Sequence, residues 1–317
     1  MQISLRQRLR SSLRSGGVIF ILLLLGLIFS IGSEDFLTAS NLLNVALQTS
    51  ILAIISVGMT FTLLTAGIDL SVGSVMALAG ALAAGLAARH GLSTPAAISL
   101  ALLAGVVVGL INGLLIVKGE MPPFVATLAM LAVARGLTLV YTKGRPIAGL
   151  DDAFIWLGAG AILGVPAPVV IMALVAILSW IVLRYTRFGL HIYTTGGNEE
   201  TTRLAGISTD RIKLAVYMIS GFLAALAGIL LTARLWSAQP NAAAGWELDA
   251  IAAPVIGGVS LFGGAGGVGG ALIGSFIIGI LSNGLNLMGI SSYYQQVIKG
   301  VVFILAVSLD MLSKRRR

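Results

Sequence analysis

The sequence contains no cysteine and only two histidines, His90 and His191. This composition excludes a disulfide framework, a thiolate nucleophile, a cysteine-ligated metal and any site built on three or more histidines. Charged residues are also scarce, at 10% of the chain, whereas an average soluble domain carries roughly 25%. No catalytic constellation of nucleophile, acid and base stands out, so we expect neither an enzyme nor a metal site.

Apolar residues make up 57% of the 317 residues, and the mean hydropathy is +1.02. A soluble fold of this length could not bury so much apolar surface, whereas a lipid bilayer accommodates it. The 40 glycines agree with this, because membrane helices tolerate glycine and use it for close packing. The sequence therefore predicts an all-α integral membrane protein, a polytopic helical bundle that forms a single transmembrane domain over residues 1–317.

About ten segments are predicted to cross the membrane, since a crossing helix needs about 20 mostly apolar residues. The eighth is short and rich in glycine, so it can be re-entrant. Residues 153–164 form a further short apolar stretch, which we expect to be a half-helix against the bundle. The predicted spans are 16–32, 42–65, 70–88, 95–117, 122–142, 166–185, 212–233, 248–262, 264–287 and 294–312.

Basic residues are distributed unevenly around these spans. Cytoplasmic loops of membrane proteins are enriched in lysine and arginine. With the N-terminus inside, 14 basic residues fall on the cytoplasmic side, four fall outside, and Arg135 and Lys299 lie within spans. The inside set is Arg6, Arg8, Arg10, Arg14, Lys118, Arg184, Arg187, Arg203, Arg211, Lys213, Lys314, Arg315, Arg316 and Arg317, and the outside set is Arg89, Lys143, Arg145 and Arg234. Both termini and the polar loop 186–211 are therefore expected in the cytoplasm. The same asymmetry accounts for the net charge of +8 without a nucleic-acid partner.

Two nucleotide-binding signals are absent or misleading. Residues 264–269 match the pattern GxGxxG, but they lie at the mouth of a predicted membrane span and lack the strand that a dinucleotide fold requires. A tight connection between spans is the better interpretation. No lysine directly follows a glycine, so the chain has no P-loop lysine. If ATP drives this protein, another subunit supplies the ATP site.

Charged residues in or beside spans are functional candidates, because they are costly in lipid. Asp69 and Ser71 stand between the second and third spans and have two interpretations: they belong to a translocation path or gate, or they cap the N–H groups that open the third span. Arg135 is deep in the fifth span and should face protein or water, either in an ion pair or against a solute. Lys299 is expected to reach the membrane interface.

The loop 186–211 carries the signals of a short helix over residues 198–205. Those signals are Asn198 as N-cap, Glu199 and Glu200 in the first turn, Arg203 in the last turn and Gly206 as C-cap. We expect this helix to be carried on a hinge formed by Gly196 and Gly197. A capped helix on the cytoplasmic face suits docking to a partner, although an ordinary solvated connection is the alternative.

Two rows of glycines recur every four residues and predict close contacts between helices. The first row is Gly105, Gly109 and Gly113, and the second is Gly266, Gly270 and Gly274.

Several segments together carry a family resemblance. They are 64–74 (LTAGIDLSVGS), 123–128 (PFVATL), 196–199 (GGNE), 202–207 (TRLAGI), 237–240 (SAQP), 247–253 (ELDAIAA), 257–264 (GGVSLFGG) and 283–287 (NGLNL). Through them the chain resembles the ribose-type sugar permeases of bacterial ABC importers over nearly its whole length. The resemblance implies a multi-pass protein of the bacterial inner membrane that translocates a monosaccharide.

The resemblance also implies partners and sites. A second permease subunit, forming a homodimer, would complete the pore, cytoplasmic ATP-binding subunits would hold ATP and Mg²⁺, and a periplasmic binding protein would deliver the sugar. This chain itself would hold no cofactor. The residues implied for docking the ATP-binding subunit are Gly196, Gly197, Asn198, Glu199, Glu200, Thr202, Arg203, Leu204 and Gly206. The candidates for the path or gate are Asp69, Ser71, Arg135, Asn283 and Asn286.

Some alternatives stay open at this point. The family usually has alanine near Thr201 and serine near Ala205, and residues 143–165 diverge more than the rest, so the sugar or the partner can differ from those of ribose permeases. A permease for an autoinducer or for branched-chain amino acids is a close rival. An ion-driven secondary transporter would need a buried carboxylate relay, for which Asp69 is the best candidate.

Overall fold

The structure, a computed structural model, describes residues 5–315, with side chains described for 18–305, 307 and 308. Within this range it contains thirteen α-helices and one short antiparallel hairpin. The helices are α1 (Leu5–Gly32), α2 (Ala39–Leu64), α3 (Val72–Ala88), α4 (Thr94–Val117), α5 (Pro123–Thr142), α6 (Asp152–Ala159), α7 (Ala167–Tyr185), α8 (Arg187–Gly197), α9 (Glu199–Leu204), α10 (Thr209–Arg234), α11 (Trp246–Ile256), α12 (Val268–Leu287) and α13 (Ser292–Arg315). The hairpin joins β1 (Ala161–Ile162) to β2 (Val165–Pro166). The basic side chains at both ends that entered the charge count, Arg6 to Arg14 and Lys314 to Arg317, lie outside the described side chains.

The prediction of a helical membrane protein is confirmed. Six described helices are long and apolar enough to cross a bilayer: α2, α4, α5, α7, α10 and α12. Shorter apolar helices cover Val18–Gly32 within α1 and Val72–Ala88, which is α3. The predicted count of about ten is not confirmed by these lengths.

The eighth predicted span, 248–262, does not form a continuous crossing helix. Its helix is α11, which has 11 residues and is about 16 Å long, whereas the hydrocarbon core is about 30 Å thick. Beyond Gly257 the chain continues as a glycine-rich connection, in which Gly258, Gly263, Gly264 and Gly266 have positive φ. The region is apolar, as the sequence indicates, but its glycines end the helix at Ile256.

The first glycine row joins α4 to α10 at the centre of the bundle. A Cβ atom added to Gly105 would lie 2.5 Å from the Gly221 carbonyl oxygen, and one added to Gly109 would lie 2.2 Å from the Tyr217 carbonyl oxygen. Gly113 packs against Leu214 in the same way. The predicted close contact is therefore confirmed, and the two helices run antiparallel.

The second glycine row joins α11 to α12. An added Cβ at Gly270 would lie 2.2 Å from the Gly257 carbonyl oxygen, and one at Gly274 would lie 1.8 Å from the Ala253 carbonyl oxygen. Gly266 belongs to the preceding connection, where it packs against Val259. This contact lays the short α11 along the first half of α12.

The core of the bundle is formed by α2, α3 and α10, in each of which most residues are buried. In α5 and α7, only 28% and 33% of the most apolar stretch is buried. Large apolar side chains such as Leu137, Val140, Leu174 and Leu178 stand exposed on these two helices. These outer helices therefore offer apolar surface to lipid or to another membrane subunit.

The half-helix expected within 153–164 is α6, which is followed by the hairpin. Asp151 caps it, accepting a hydrogen bond from the Phe154 N–H at 2.9 Å. The Phe154 side chain is fully buried, and Gly158 packs on the Ala233–Arg234 backbone at the end of α10. The helix thus lies against the bundle, at the end opposite α8 and α9.

The end of the bundle that carries α8 and α9 is called the α9 end below. Helices α2, α4 and α7 finish there, and α5, α10 and α12 begin there. One bond defines this end, because the Gly264 N–H donates to the Leu64 carbonyl oxygen at 3.0 Å and brings the start of α12 beside the end of α2.

Candidate functional sites

The predicted short helix in the polar loop is present as α9. Asn198 is its N-cap, and the Asn198 Oδ1 atom accepts a hydrogen bond from the Thr201 N–H at 2.8 Å. Glu199 and Glu200 occupy the first turn, where the free N–H groups favour acids. Gly206 has a φ of +82°, which suits glycine after a helix end. The predicted capping residues therefore act as expected.

A charge network ties α9 to the start of α10. The Lys213 Nζ atom lies 2.6 Å from the Glu199 Oε2 atom, and the Arg203 Nη2 atom lies 3.3 Å from the Glu199 Oε1 atom. Arg203 also lies 3.6 Å from Asp210. Partial burial alone would raise the pKa of Glu199, but the hydrogen bond and charge of Lys213 outweigh it and lower the pKa below its ordinary value. These ion pairs therefore join α9 to the first turns of α10.

The outer surface of α9 is formed by Glu200, Thr201, Arg203 and Leu204, and is called the α9 surface below. All four residues are exposed, and Leu204 is 83% exposed. Thr202 faces the opposite way and is buried.

The glycine pair before α9 does not form the expected hinge. Gly196 and Gly197 are the last two residues of the continuous helix α8. A Cβ atom added to Gly196 would lie 1.8 Å from the Leu64 carbonyl oxygen, whereas one added to Gly197 would meet nothing within 4 Å. Gly196 is therefore a packing residue, present because the end of α2 approaches its Cα atom.

Helix α8 itself was not predicted from the sequence. Thr186 caps it, accepting a hydrogen bond from the Gly189 N–H at 3.1 Å. The Tyr193 hydroxyl donates to the Gly266 carbonyl oxygen at 2.8 Å, so α8 contacts the connection before α12 as well as the end of α2. The α9 surface is consequently carried on a helix fixed to several elements of the bundle.

Asp69 lies in the break between α2 and α3 and is 1% exposed. Its Oδ1 atom accepts hydrogen bonds from the Ser71 N–H at 3.0 Å and the Ser71 hydroxyl at 2.6 Å, and its Oδ2 atom accepts one from the Ser220 hydroxyl at 2.7 Å. Asp69 thus caps the start of α3, as one interpretation expected, and joins it to α10. The Ser71 side chain makes no capping bond.

Further polar groups surround this aspartate. Asn112 donates from its Nδ2 atom to the Ser71 hydroxyl at 2.9 Å, and Thr127 donates to the Ile68 carbonyl oxygen at 3.2 Å. The Asn112 Oδ1 atom is buried and has no hydrogen-bond partner within the described part of the chain. The arrangement is a buried polar junction between α3, α4, α5 and α10, which favours a structural role for Asp69 and Ser71 in this conformation.

The other path candidates lie apart from this junction. Arg135 donates from its Nη1 atom to the carbonyl oxygens of Pro240 and Ala242, at 2.8 and 3.0 Å. Arg135 faces protein, as expected. Its hydrogen bonds go to backbone carbonyl groups, whereas the sequence suggested an ion pair or contact with a solute. Asn283 and Asn41 exchange reciprocal amide hydrogen bonds at 2.9 and 3.0 Å. Asn286 is exposed near the far end of α12.

The ion pair between Lys299 and Asp249 was missed. The Lys299 Nζ atom lies 2.8 Å from the Asp249 Oδ2 atom, and the two side chains are 27% and 18% exposed. Lys299 therefore does not simply reach the interface, because α11 packs against α13 and presents a carboxylate to it. The sequence signal was a charged residue on each of two apolar segments, but nothing in the sequence paired residues 50 positions apart.

Comparison with known proteins gives a family and close relatives. Residues 41–307 match the family described as branched-chain amino acid transport system / permease component. The ribose import permease protein of Escherichia coli K12 is 50% identical over 293 residues, covering 91% of each chain. The ribose import permease protein of Bacillus subtilis 168 is 51% identical over 291 residues, covering 91% of this chain and 90% of its own.

More distant relatives carry other sugar names. The D-allose transport system permease protein of Escherichia coli K12 is 40% identical over 300 residues, covering 94% of this chain and 92% of its own. No solved structure matches this chain.

Proposed function

This chain belongs to the family of sugar permeases of bacterial ABC importers, and we propose that it carries a ribose-like monosaccharide across the inner membrane while a separate ATP-binding subunit supplies the energy. The observation that carries this function is its identity of about half, over 91% of its length, with ribose import permeases of two distantly related bacteria. Relatives named for allose and xylose are less similar, at 40% and 33% identity, which supports ribose over allose and xylose as the solute.

The proposed topology has both termini in the cytoplasm and the α9 end facing the cytoplasm. In it α1, α3 and α13 also cross, which gives nine helical crossings, and the stretch 235–267 makes the tenth. Support for the tenth comes from its contacts: Ala238 pairs with Ile147 at the end of the bundle opposite α9, whereas Gly264 bonds to Leu64 at the α9 end. The parity that the positive-inside rule demands is thereby retained although α11 is short.

The α9 surface is proposed to receive the ATP-binding subunit. Its exposed Leu204 would enter an apolar depression of that partner, while Glu200 and Arg203 would contact polar groups around it. ATP binding in the partner would move α9, and the Lys213–Glu199 contact would pass this movement to α10. Two permease copies, rocking between inward-open and outward-open states, would then move the sugar that a periplasmic binding protein delivers.

Competition uptake tests the proposed substrate class. The chain is expressed with its neighbouring transporter subunits in a strain that lacks its own ribose, allose and xylose importers, and uptake of labelled ribose is measured against unlabelled competitors. Ribose is expected to compete best, and leucine and a furanone autoinducer are expected to have no effect. Uptake that leucine or the autoinducer blocked, and that ribose did not, would contradict the proposal.

A further inference from the structure

A polar cavity lies between α2, α11, α12 and α13. Among the residues that line it are Gln48, Thr49, Trp246, Asp249, Gly279 and Lys299. Its volume is about 130 Å³, similar to the ~150 Å³ of an engineered cavity that binds a benzene-sized ligand. The cavity therefore has the size of a single small ring.

The positions of lining residues along three helices place the cavity at a similar depth. Thr49 comes ten residues after the start of α2, Lys299 seven after the start of α13, and Gly279 eight before the end of α12. At 1.5 Å per residue these positions lie about 10–15 Å from the end of the bundle opposite α9. The cavity is thus within the apolar thickness of the protein, where a polar lining is costly unless it has a use.

Irregular backbone adjoins the cavity at comparable depth. The chain from Pro240 to Gly245 is not helical, yet Arg135 holds its carbonyl groups from within α5. Asn241, Ala244 and Gly245 are nevertheless exposed. Non-helical backbone at membrane depth is tolerated only where protein buries it or where it lines a water-filled space. This side of the subunit therefore faces water or a partner subunit.

The lining contains groups that are ready for a ligand. The Thr49 hydroxyl lies in the wall of the cavity, buried against Gly279, and has no hydrogen-bond partner among the residues that the structure describes. The Asp249–Lys299 pair offers a carboxylate acceptor and ammonium donors side by side. Trp246 adds an aromatic face, and Gln48 adds an amide. Gln48, Trp246, Asp249 and Lys299 are each partly exposed, so the cavity can be reached from outside the protein.

We propose that this cavity is a binding subsite for the sugar in transit, where Trp246 stacks on the apolar face of a pyranose or furanose ring and Thr49, Asp249 and Lys299 hydrogen-bond its hydroxyl groups. A ring with several hydroxyls needs donors and acceptors in one place, and the ion pair with the orphan hydroxyl provides both. The subsite lies in the half of the membrane that first meets a sugar arriving from the periplasm. The inference rests on the proposed function, because it assigns a place to the solute named there.

Site-directed thiol labelling tests this subsite directly, since the natural chain has no cysteine. A Gln48→Cys variant is reconstituted with its partner subunits in proteoliposomes, and its modification by a water-soluble thiol reagent is followed by mass. Modification is expected, and saturating ribose during turnover should slow it at least threefold. A Leu163→Cys control, in the fully exposed turn of the hairpin at the end opposite α9, should be modified at the same rate with and without ribose. Equal labelling rates of Gln48→Cys with and without ribose would overturn the subsite.

A hydroxyl deletion provides an independent readout. Thr49→Val keeps the side-chain shape and is expected to lower ribose transport about fivefold while leaving the assembled complex intact. The matched control is Thr138→Val, another fully buried threonine, whose hydroxyl bonds only within α5. If the wild type transports ribose and the Thr49→Val variant transports it at the same rate, the subsite is rejected and the proposed function is unaffected. If the wild type moved no monosaccharide, the proposed function itself would fail.

Discussion

The Lys213 ammonium lies 2.6 Å from the Glu199 carboxylate, so the first residue of α9 is bonded to the first turns of α10. α10 is one of the two most buried long helices, and it packs on α2, α3 and α4. The contact therefore connects α9 to a helix at the centre of the bundle. Under the proposed function, a movement of α9 would reach the membrane domain through this helix.

Acid should release this contact. The pKa of Glu199 is lowered in the folded protein from an ordinary value of 4.5, so the contact stabilises the fold above about pH 4.5 and is lost as pH falls through the lower folded value. Both side chains are partly exposed, so the contribution should be at most about 1 kcal/mol. The protection of α9 amides against hydrogen exchange, corrected for the pH dependence of the intrinsic exchange rate, should fall in this acid range, and a Glu199→Gln variant should show the lower protection already at pH 7. Protection factors of the wild type that stay unchanged down to pH 3 would contradict this.

Leu204→Ala should weaken docking of the ATP-binding subunit without affecting the fold. The side chain is 83% exposed, so the free energy of unfolding should change by less than about 0.5 kcal/mol. Co-purification with the ATP-binding subunit should fall severalfold. Leu163→Ala is the control, because Leu163 is also fully exposed but lies in the hairpin at the other end. Equal co-purification of both variants would remove Leu204 from the interface.

The two glycines at the end of α8 should respond differently to alanine. Gly196→Ala forces a methyl group against the Leu64 carbonyl oxygen and should destabilise the protein by about 1–3 kcal/mol. Gly197→Ala meets open space and should be neutral or stabilise by up to about 1 kcal/mol. Thermal unfolding of both variants in detergent checks this. Similar losses of stability at both positions would contradict the packing role of Gly196 and support the hinge.

The junction around Asp69 predicts a contrast between two buried serines. Ser220→Ala removes one of the donors to Asp69 and should cost about 1–3 kcal/mol. Ser56→Ala removes a buried hydroxyl that bonds to none of the described residues, so it should be neutral or stabilising. Thermal unfolding again compares the two variants. A neutral Ser220→Ala would mean that the bond to α10 does not hold the start of α3.

Local signals in the sequence predicted much of the fold. The helix around 42–65 was found as α2, and the caps of α9, the first glycine row and two members of the second, Gly270 and Gly274, were placed correctly. These features depend on residues three or four apart, whose spacing is visible in the sequence. The glycine-rich motif at 264–269 was also interpreted from local sequence: its first four residues lie in the connection before α12 and its last two begin that helix.

Features that depend on distant parts of the chain were not predicted. The ion pair of Asp249 with Lys299 depends on how α11 packs against α13, and the role of Gly196 depends on where α2 ends. The eighth span was predicted either to cross or to be re-entrant, and hydropathy alone could not fix where its helix ends, which is at Ile256 before Gly257. Helix α8 was missed because a polar loop gave no reason to expect a helix beside the membrane.

ATP-driven uptake in proteoliposomes tests the central claim most directly. The chain is reconstituted with its ATP-binding subunits, the periplasmic binding protein is added with labelled ribose, and ATP is supplied on the side of the α9 surface, with and without a protonophore. The account predicts accumulation of ribose that requires ATP and the binding protein and that the protonophore leaves unchanged. Uptake that follows the proton gradient and ignores ATP would contradict it and restore the ion-driven alternative.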